Sequence, residues 1–208
     1  MKKILFYGDS ITDAMRYRDS EGIYSFGCGY VIQIAGRFFE KNPTGYEIIN
    51  KGISGNRIVD LYARIKNDLW NENPDVISIL IGINDIWHEM AYKNGVDAER
   101  FDKIYRILLE DTLARLPEAK IIICEPFVLP GSATDGHPEF DDVPTYQAIT
   151  KKIADDFGLT YVPLQKKLEE AALKYGNEAI LSDGVHPAML GTIIIANEWL
   201  KAYEKIEK

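Results

Sequence analysis

The residues of this sequence that could do chemistry are a serine, a histidine and three acids. Ser10 follows an apolar run and lies in "GDSITD", between Asp9 and Asp13. His186 lies in "SDGVHP", three residues after Asp183. A serine attacks an acyl carbon when a histidine takes its proton and a carboxylate orients that histidine. Ser10, His186 and Asp183 are therefore a candidate nucleophile, base and orienting acid.

Each of these residues also has a purely structural interpretation. Serine and aspartate cap helix N-termini by accepting hydrogen bonds from free backbone N–H groups, so Ser10 could act only as a cap. Asp183 could cap the final helix in the same way, with His186 incidental to it. The two interpretations differ in whether Ser10 and His186, at opposite ends of the chain, meet in space.

Acyl transfer also needs fixed hydrogen-bond donors for the charge that develops on the carbonyl oxygen. Gly55 in "KGISGNR" can bring its backbone N–H close to a ligand because it has no side chain. Asn84 in "IGINDIW" carries a side-chain amide. Together with the N–H of Ser10, these groups form a candidate oxyanion hole. The structural alternatives are a plain turn at Gly55 and an Asx turn or helix cap at Asn84.

Five short apolar segments, alternating with helical patterns, must position these residues. Their richness in Ile, Val, Leu, Tyr and Phe suits strands buried on both faces. The predicted strands cover 3–7, 46–50, 75–81, 119–124 and 159–163. The last helix is expected at 187–204, with Pro187 close to its first turn. The alternation predicts an α/β fold, with helices on both faces of a parallel sheet.

The ends of the predicted strands indicate where a ligand would bind. In open α/β sheets, ligands bind beyond the carboxyl ends of the strands. The first three predicted strands are followed by "GDSITD", "KGISGN" and "GINDIW". We therefore expect Ser10, Gly55 and Asn84 to gather at one edge of the sheet.

Composition argues against several classes of function. The chain has 208 residues, 46 % of them apolar, and a formal net charge of −8, which suits one globular domain over 1–208. The lack of a basic run disfavours binding to nucleic acids or anionic membranes.

We find neither a signal-peptide pattern nor a membrane-spanning run, so we expect a cytoplasmic protein. Cys124 lies in an apolar run and is expected to be a buried, reduced core residue.

Together, four segments resemble the sequence blocks of the SGNH hydrolases, also called the GDSL esterase/lipase family. These segments are "GDSIT" (8–12), the glycine of "GISGN", "GIND" (82–85) and "DGVHP" (183–187). They occur in the family's order and span nearly the whole chain. Each segment alone is a weak signal, whereas four in order are specific.

The resemblance implies roles for particular residues. It implies Ser10 as nucleophile, His186 as base and Asp183 as its orienter. It also implies an oxyanion hole formed by Ser10, Gly55 and Asn84. The family fold is a three-layer α/β/α sandwich of flavodoxin-like type, here with five parallel strands. The resemblance further suggests a homo-oligomer, and the chemistry requires no cofactor or metal.

Longer matches favour one branch of this family. "GDSITD", "NKGISGN", "SILIGINDIW" and "VHP" look like the acetylxylan-esterase branch, whose members remove acetyl groups from xylo-oligosaccharides. The resemblance extends to Trp87 as a wall for the sugar or the acetyl group. Tyr17, Tyr24 and Tyr30 adjoin the loops and suit sugar faces, although core packing explains them equally well. A lipase, lysophospholipase or thioesterase of the same fold is the alternative.

Several other features have competing interpretations. Ser54 in "GISG" is a rival nucleophile. The segment 129–146 is the longest irregular stretch and is expected to shape the cleft or a subunit contact. His137 lies among acids there, and a solvated loop explains it better than a metal site, since no tight ligand spacing occurs. A phosphate-binding module is disfavoured because Asp9 and Asp13 would repel the anion.

Overall fold

Five parallel strands form one sheet at the centre of the molecule. We describe a computed structural model, which covers residues 1–20 and 22–207. The strands are β1 (Lys2–Gly8), β2 (Tyr46–Gly52), β3 (Val76–Leu80), β4 (Lys120–Cys124) and β5 (Thr160–Val162). They pair in the order β2-β1-β3-β4-β5, and every neighbouring pair is parallel. The predicted strand ends agree with the observed ones to within two residues.

Helices cover both faces of this sheet. In chain order they are α1 (Ser10–Asp13), α2 (Tyr30–Lys41), α3 (Ile58–Asp68), α4 (Ile83–Tyr92), α5 (Ala98–Arg115), α6 (Val143–Asp156), α7 (Gln165–Tyr175), α8 (Asn177–Ile180) and α9 (Met189–Ile206). Helix α2 packs against α9, whereas α5 packs against both α3 and α6. The expected three-layer α/β/α sandwich is confirmed.

The two central strands explain why the apolar runs are so continuous. All five residues of β3 are buried, and so are the last five of β1. A strand with neighbours on both edges and helices on both faces has no solvent-facing side, so it needs no polar alternation. Cys124, at the end of β4, is fully buried and forms no disulfide, as the sequence predicts.

The strand order also fixes where the sheet offers a crevice. The chain moves from β1 to β2 on one side and then crosses to β3 on the other side of β1. Loops leaving β1 and β3 therefore diverge to opposite faces, and such a switch point is where α/β sheets bind ligands. Ser10 lies just after β1, with Asp9 between them, and Asn84 lies shortly after β3.

Two further observations concern the helices. The final helix spans Met189–Ile206, within two residues of the predicted 187–204, and Pro187 lies just before its first turn. Pro187 pairs with Leu181 in an isolated antiparallel bridge, because residues 181–187 form a tight loop before the helix. Within the described ranges, no helix combines the length and the apolar character needed to cross a membrane.

Candidate active site

Ser10 and His186 meet at the carboxyl edge of the sheet. Oγ of Ser10 lies 3.0 Å from Nε2 of His186. Nδ1 of His186 lies 2.7 Å from Oδ2 of Asp183. Because an ionised carboxylate can only accept, Nδ1 carries a proton and Nε2 is left to accept from the serine. The structure thus brings together the three side chains in the arrangement that serine acyl transfer requires.

The cap of the first short helix is Asp9 and not Ser10. Oδ1 of Asp9 accepts a hydrogen bond of 2.9 Å from the N–H of Ile11. Ser10 is the first helical residue of α1, one position inside the cap. The interpretation of Ser10 as a helix cap is therefore wrong. Since Asp9 satisfies the free donor, the Ser10 hydroxyl is available to His186.

Two glycines that the sequence analysis passed over allow α1 to lie this close to the strand ends. A Cβ added to Gly52 would lie 2.2 Å from the N atom of Asp13. A Cβ on Gly8 would lie 2.5 Å from Oγ1 of Thr12 in α1 and 2.4 Å from the carbonyl oxygen of Leu80 at the end of β3. Contacts this short exclude any side chain. In the sequence, the feature that could have indicated this close approach is that β1 and β2 both end on glycine.

Asp183 organises the loop that carries His186. Its Oδ1 accepts from the N–H of Val185 at 2.9 Å and from the N–H of His186 at 2.7 Å. Helix α9 is preceded by Ala188 with no side-chain cap, so the idea that Asp183 caps this helix is wrong. Burial alone would raise the pKa of Asp183. The hydrogen bonds from His186 and Val185 outweigh burial and hold the pKa below its usual value.

The long segment 129–146 supports this loop from behind. The N–H of Ala133 donates to the carbonyl oxygen of Asp183 at 2.8 Å. A Cβ on Gly131 would lie 2.5 Å from the N atom of Gly184, so the two backbones are in direct contact. The second half of the segment is helical, which makes the irregular part shorter than expected. The segment therefore holds the Asp183 loop in place.

Gly55 occupies a tight turn after β2. The N–H of Asn56 donates to the carbonyl oxygen of Ile53 at 3.1 Å, and Gly55 has a φ of 81°. This φ suits the third position of a type II turn, which favours glycine. In the part of the chain that the structure describes, the N–H groups of Ser10 and Gly55 have no acceptor within the protein. Both donors are available to a ligand.

Asn84 lies in the first turn of α4, beside the turn that carries Gly55. Its Nδ2 donates to the carbonyl oxygen of Asn56 at 3.1 Å, which leaves its second amide hydrogen free. Gly82 precedes the helix as its N-cap, so the interpretation of Asn84 as a helix cap is wrong. All three expected oxyanion donors therefore come from segments that follow β1, β2 and β3.

Trp87 borders the histidine of this site. Its ring centroid lies 5.8 Å from that of His186 and 5.9 Å from that of Phe140. The indole is half-buried. A ring fixed on one side and accessible on the other can form a wall for a flat ligand.

The three tyrosines considered with Trp87 have other surroundings. Tyr30 is fully buried, so of its two interpretations core packing is confirmed and contact with a sugar is wrong. Its ring packs edge-on against Phe6 at 5.8 Å, and its hydroxyl lies 3.0 Å from Oγ1 of Thr12. Tyr17 and Tyr24 are exposed and pack against each other at 6.2 Å.

The rival interpretations gain no support from the structure. The hydroxyl of Ser54 donates to Oδ2 of Asp13 at 3.0 Å. Its partner is therefore a carboxylate and not a histidine that could act as its base. Around His137, as elsewhere in residues 1–20 and 22–207, no group of three or more His, Cys, Asp or Glu residues is arranged to hold a metal ion.

Asp9 is a buried carboxyl group beside the site. It is 1 % exposed, and its Oδ2 has no hydrogen-bond partner among the described residues. Burial raises the pKa of Asp9 from 3.8 to about 7, although the N–H of Ile11 and the ring of His186 act in the opposite direction. Near neutral pH both the charged and the uncharged form of Asp9 are therefore populated.

We expect Asp9→Asn to stabilise the protein increasingly as the pH rises. The pKa of Asp9 is raised on folding, so ionisation of the unfolded chain costs the parent stability from about pH 4 to about pH 7. An asparagine cannot ionise and avoids this loss. At about 1.4 kcal/mol per pKa unit, the variant should gain roughly 4 kcal/mol on the parent between pH 4 and pH 8. Urea unfolding at both pH values measures this, and a pH-independent difference would contradict it.

Known proteins are similar to this chain in both sequence and fold. The sequence model of the GDSL-like lipase/acylhydrolase family matches residues 6–192. An acetylxylan esterase from Geobacillus stearothermophilus is 34 % identical, and the match covers 96 % of this chain and 93 % of that protein.

Solved structures agree with this match. Axe2, an acetylxylan esterase from Geobacillus stearothermophilus, superposes with a TM-score of 0.86 at 33 % identity, covering 97 % of this chain and 93 % of that chain. A protein from Parabacteroides merdae, assigned as a GDSL-like lipase, superposes with a TM-score of 0.90 at 36 % identity over 97 % of this chain and 94 % of that chain. With both sequence and fold in common, this chain belongs to the GDSL-like lipase/acylhydrolase family and is a carboxylic ester hydrolase.

Proposed function

We propose that this protein is a serine esterase that removes O-acetyl groups from acetylated sugars, xylo-oligosaccharides foremost, through an acyl-enzyme on Ser10. The observation that carries the proposal is the 3.0 Å distance between Ser10 Oγ and His186 Nε2. On the other side of the ring, Oδ2 of Asp183 lies 2.7 Å from Nδ1 of His186. The substrate class is supported by the acetylxylan esterase at 34 % identity. Catalytic mutants of Axe2 include replacements of a serine and of an aspartate by alanine, which agrees with these residue types.

In the first half-reaction, the acetyl group moves from the sugar to the protein. Nε2 of His186 takes the proton of Ser10 as Oγ attacks the acetyl carbonyl carbon. The carbonyl oxygen becomes negative, and the N–H groups of Ser10 and Gly55 and the amide of Asn84 donate to it. The charged His186, held by Asp183, gives its proton to the sugar oxygen as the C–O bond breaks.

In the second half-reaction, water releases the acetyl group. His186 takes a proton from water, whose oxygen attacks the carbonyl carbon of the acyl-enzyme. The same donors hold the second tetrahedral intermediate. The bond between Oγ and the carbonyl carbon then breaks as His186 returns the proton to Oγ, and acetic acid leaves and ionises to acetate in water. The cycle needs only these residues and water, with each proton passing through one imidazole.

Trp87 is proposed as the wall against which the sugar or the acetyl group lies. The indole packs against the rings of His186 and Phe140, which hold it beside the base. A flat, amphipathic ring suits the face of a sugar in a wet cleft. A lipase, lysophospholipase or thioesterase remains the alternative, because the family includes lipases.

The proposal predicts a steep preference for short acyl groups. We expect kcat/KM for p-nitrophenyl esters to fall at least tenfold from acetyl to octanoyl, because a site for acetyl has no room for seven-carbon tails. We also expect acetate release from acetylated xylo-oligosaccharides, measured by an enzymatic acetate assay. A Ser10→Ala sample gives the background. A rate that stays flat or rises with chain length would overturn the sugar deacetylase in favour of a lipid enzyme.

A further inference from the structure

We propose that Asp13 and Asp85 are positioning residues that hold the turn carrying Gly55 from both ends, and thereby set the spacing of the three oxyanion donors. The inference rests on the proposed function of Ser10, Gly55 and Asn84 as those donors. It assigns a role to two buried acids that take no part in the proton transfers described above.

Asp13 connects the Gly55 turn to the helix that begins with Ser10. Its Oδ2 accepts from the N–H of Ser54 at 2.9 Å and from the Ser54 hydroxyl at 3.0 Å. Arg18 donates to the same oxygen at 2.9 Å. Asp13 ends the single helical turn that Ser10 begins, and it is only 4 % exposed. A buried carboxylate one turn from Ser10 thus holds the residue directly before Gly55.

The charge state of Asp13 suits this role. Burial on its own would raise the pKa of Asp13, but hydrogen bonds from Ser54 and Arg18 outweigh it and hold the pKa below its usual value. An ionised carboxylate forms stronger hydrogen bonds than a neutral acceptor. The contact with Ser54 is therefore a strong one.

Asp85 connects the other end of the same turn to the helix that carries Asn84. Its Oδ1 and Oδ2 lie 3.0 Å and 3.3 Å from the N atom of Ile58, the first residue of α3. The neighbouring side chain, Asn84, donates to the carbonyl oxygen of Asn56 at 3.1 Å. Two adjacent side chains of α4 therefore bind the chain just after Gly55 at two points.

These contacts join the three donors into one framework. The donors follow three different strands, and side-chain hydrogen bonds connect the loops that carry them. Oxyanion donors are effective when they lie about 2.7–3.1 Å from the developing charge, so small shifts matter. Within residues 1–20 and 22–207, neither Asp13 nor Asp85 has a hydrogen bond to Ser10 Oγ, Asp183 or His186. Their effect must act through the position of the turn.

The test compares removal of each acid with its conservative replacement. Asp85→Ala removes the acceptor for the N–H of Ile58, whereas Asp85→Asn keeps one oxygen for it. Because burial raises the pKa of Asp85 well above its usual value, asparagine also resembles the neutral acid. We expect Asp85→Ala to lower kcat for p-nitrophenyl acetate about 10²-fold, with KM changed less than about threefold, as for loss of an oxyanion donor. Asp85→Asn should recover at least tenfold of this loss.

The same comparison is made at the other end of the turn, with a matched control. Asp13→Ala should lower kcat in the same way, and Asp13→Asn should recover part of it, since one oxygen can still accept from Ser54. Asp19→Ala is the matched control, because Asp19 is an exposed acid close to Asp13 in the chain and has no part in the contacts described above. We expect it to stay within about threefold of the parent in kcat.

Counting reactive sites separates positioning from folding. The final extent of labelling by a fluorophosphonate gives the number of functional serines, and kcat is expressed per labelled site. A purely structural role would reduce the number of labelled sites and leave kcat per site unchanged, which would overturn the inference. If Asp85→Ala does not fold, the Asp13 pair decides. If kcat per labelled site is normal in the variants of both Asp85 and Asp13, the inference is wrong and the proposed function stands. If the Ser10→Ala protein is active, the proposed function itself is wrong.

Discussion

Ser10→Ala is expected to lower kcat for acetyl ester hydrolysis by about 10⁴- to 10⁶-fold, because Ser10 carries the one hydroxyl among the described residues that is hydrogen-bonded to Nε2 of His186 and can give it a proton. The residual rate comes from the oxyanion donors and from binding, which the substitution leaves in place. The fold should persist, since Asp9 supplies the helix cap and alanine is a good helix former. Initial rates with p-nitrophenyl acetate and a thermal melt measure the two effects.

A second serine provides the control for this experiment. Ser25→Ala removes a hydroxyl whose hydrogen-bond partner among the described residues is the carbonyl oxygen of Gly22, and it should keep the parent rate. A fluorophosphonate should label the parent and the control but not Ser10→Ala. Labelling of Ser10→Ala at the parent rate would instead point to Ser54 as the nucleophile and would refute the role of Ser10.

The sequence predicts the position of the site because each donor directly follows a strand. The runs that form β1 and β3 are apolar without interruption, which marks them as central strands. In a parallel sheet their carboxyl ends lie at one edge, so the sequence alone is enough to place Ser10 and Asn84 at that edge. The approach of His186 could not be derived from pattern alone. It came from resemblance to a family, and the distance of 3.0 Å now supports it.

The features that the sequence did not predict depend on backbone geometry or on partners distant in the chain. Asp9 and Ser10 are both good cap residues, and only the backbone conformation decides that Asp9 is the cap. Tyr30 has the amphipathic aromatic side chain that suits a cleft, yet its ring packs against Phe6 in the core. The contact of Asp13 with Ser54 joins two loops, and nothing in either segment indicates it.

Asp183→Asn should have the second largest effect, a fall in kcat of about 10⁴-fold at nearly constant KM. Oδ1 of Asp183 accepts from the N–H groups of Val185 and His186, and the asparagine oxygen can keep both bonds. Only Oδ2, which faces Nδ1 of His186, is replaced by an amide donor. The amide then donates to Nδ1 and leaves the ring proton on Nε2. That proton points at Ser10, so the histidine can no longer act as a base.

Comparison with Asp183→Ala separates this change of tautomer from loss of the loop. Alanine removes the Oδ1 bonds as well, so Asp183→Ala should lose both rate and thermal stability, whereas Asp183→Asn should lose rate alone. Asp141→Asn, an exposed acid in the segment behind the loop, is the matched control for a change of charge and should keep the parent rate. Measurements of kcat and Tm on the three variants decide the matter. If Asp183→Asn stays within tenfold of the parent, Asp183 does not orient the base, and the 2.7 Å contact serves the fold of the loop only.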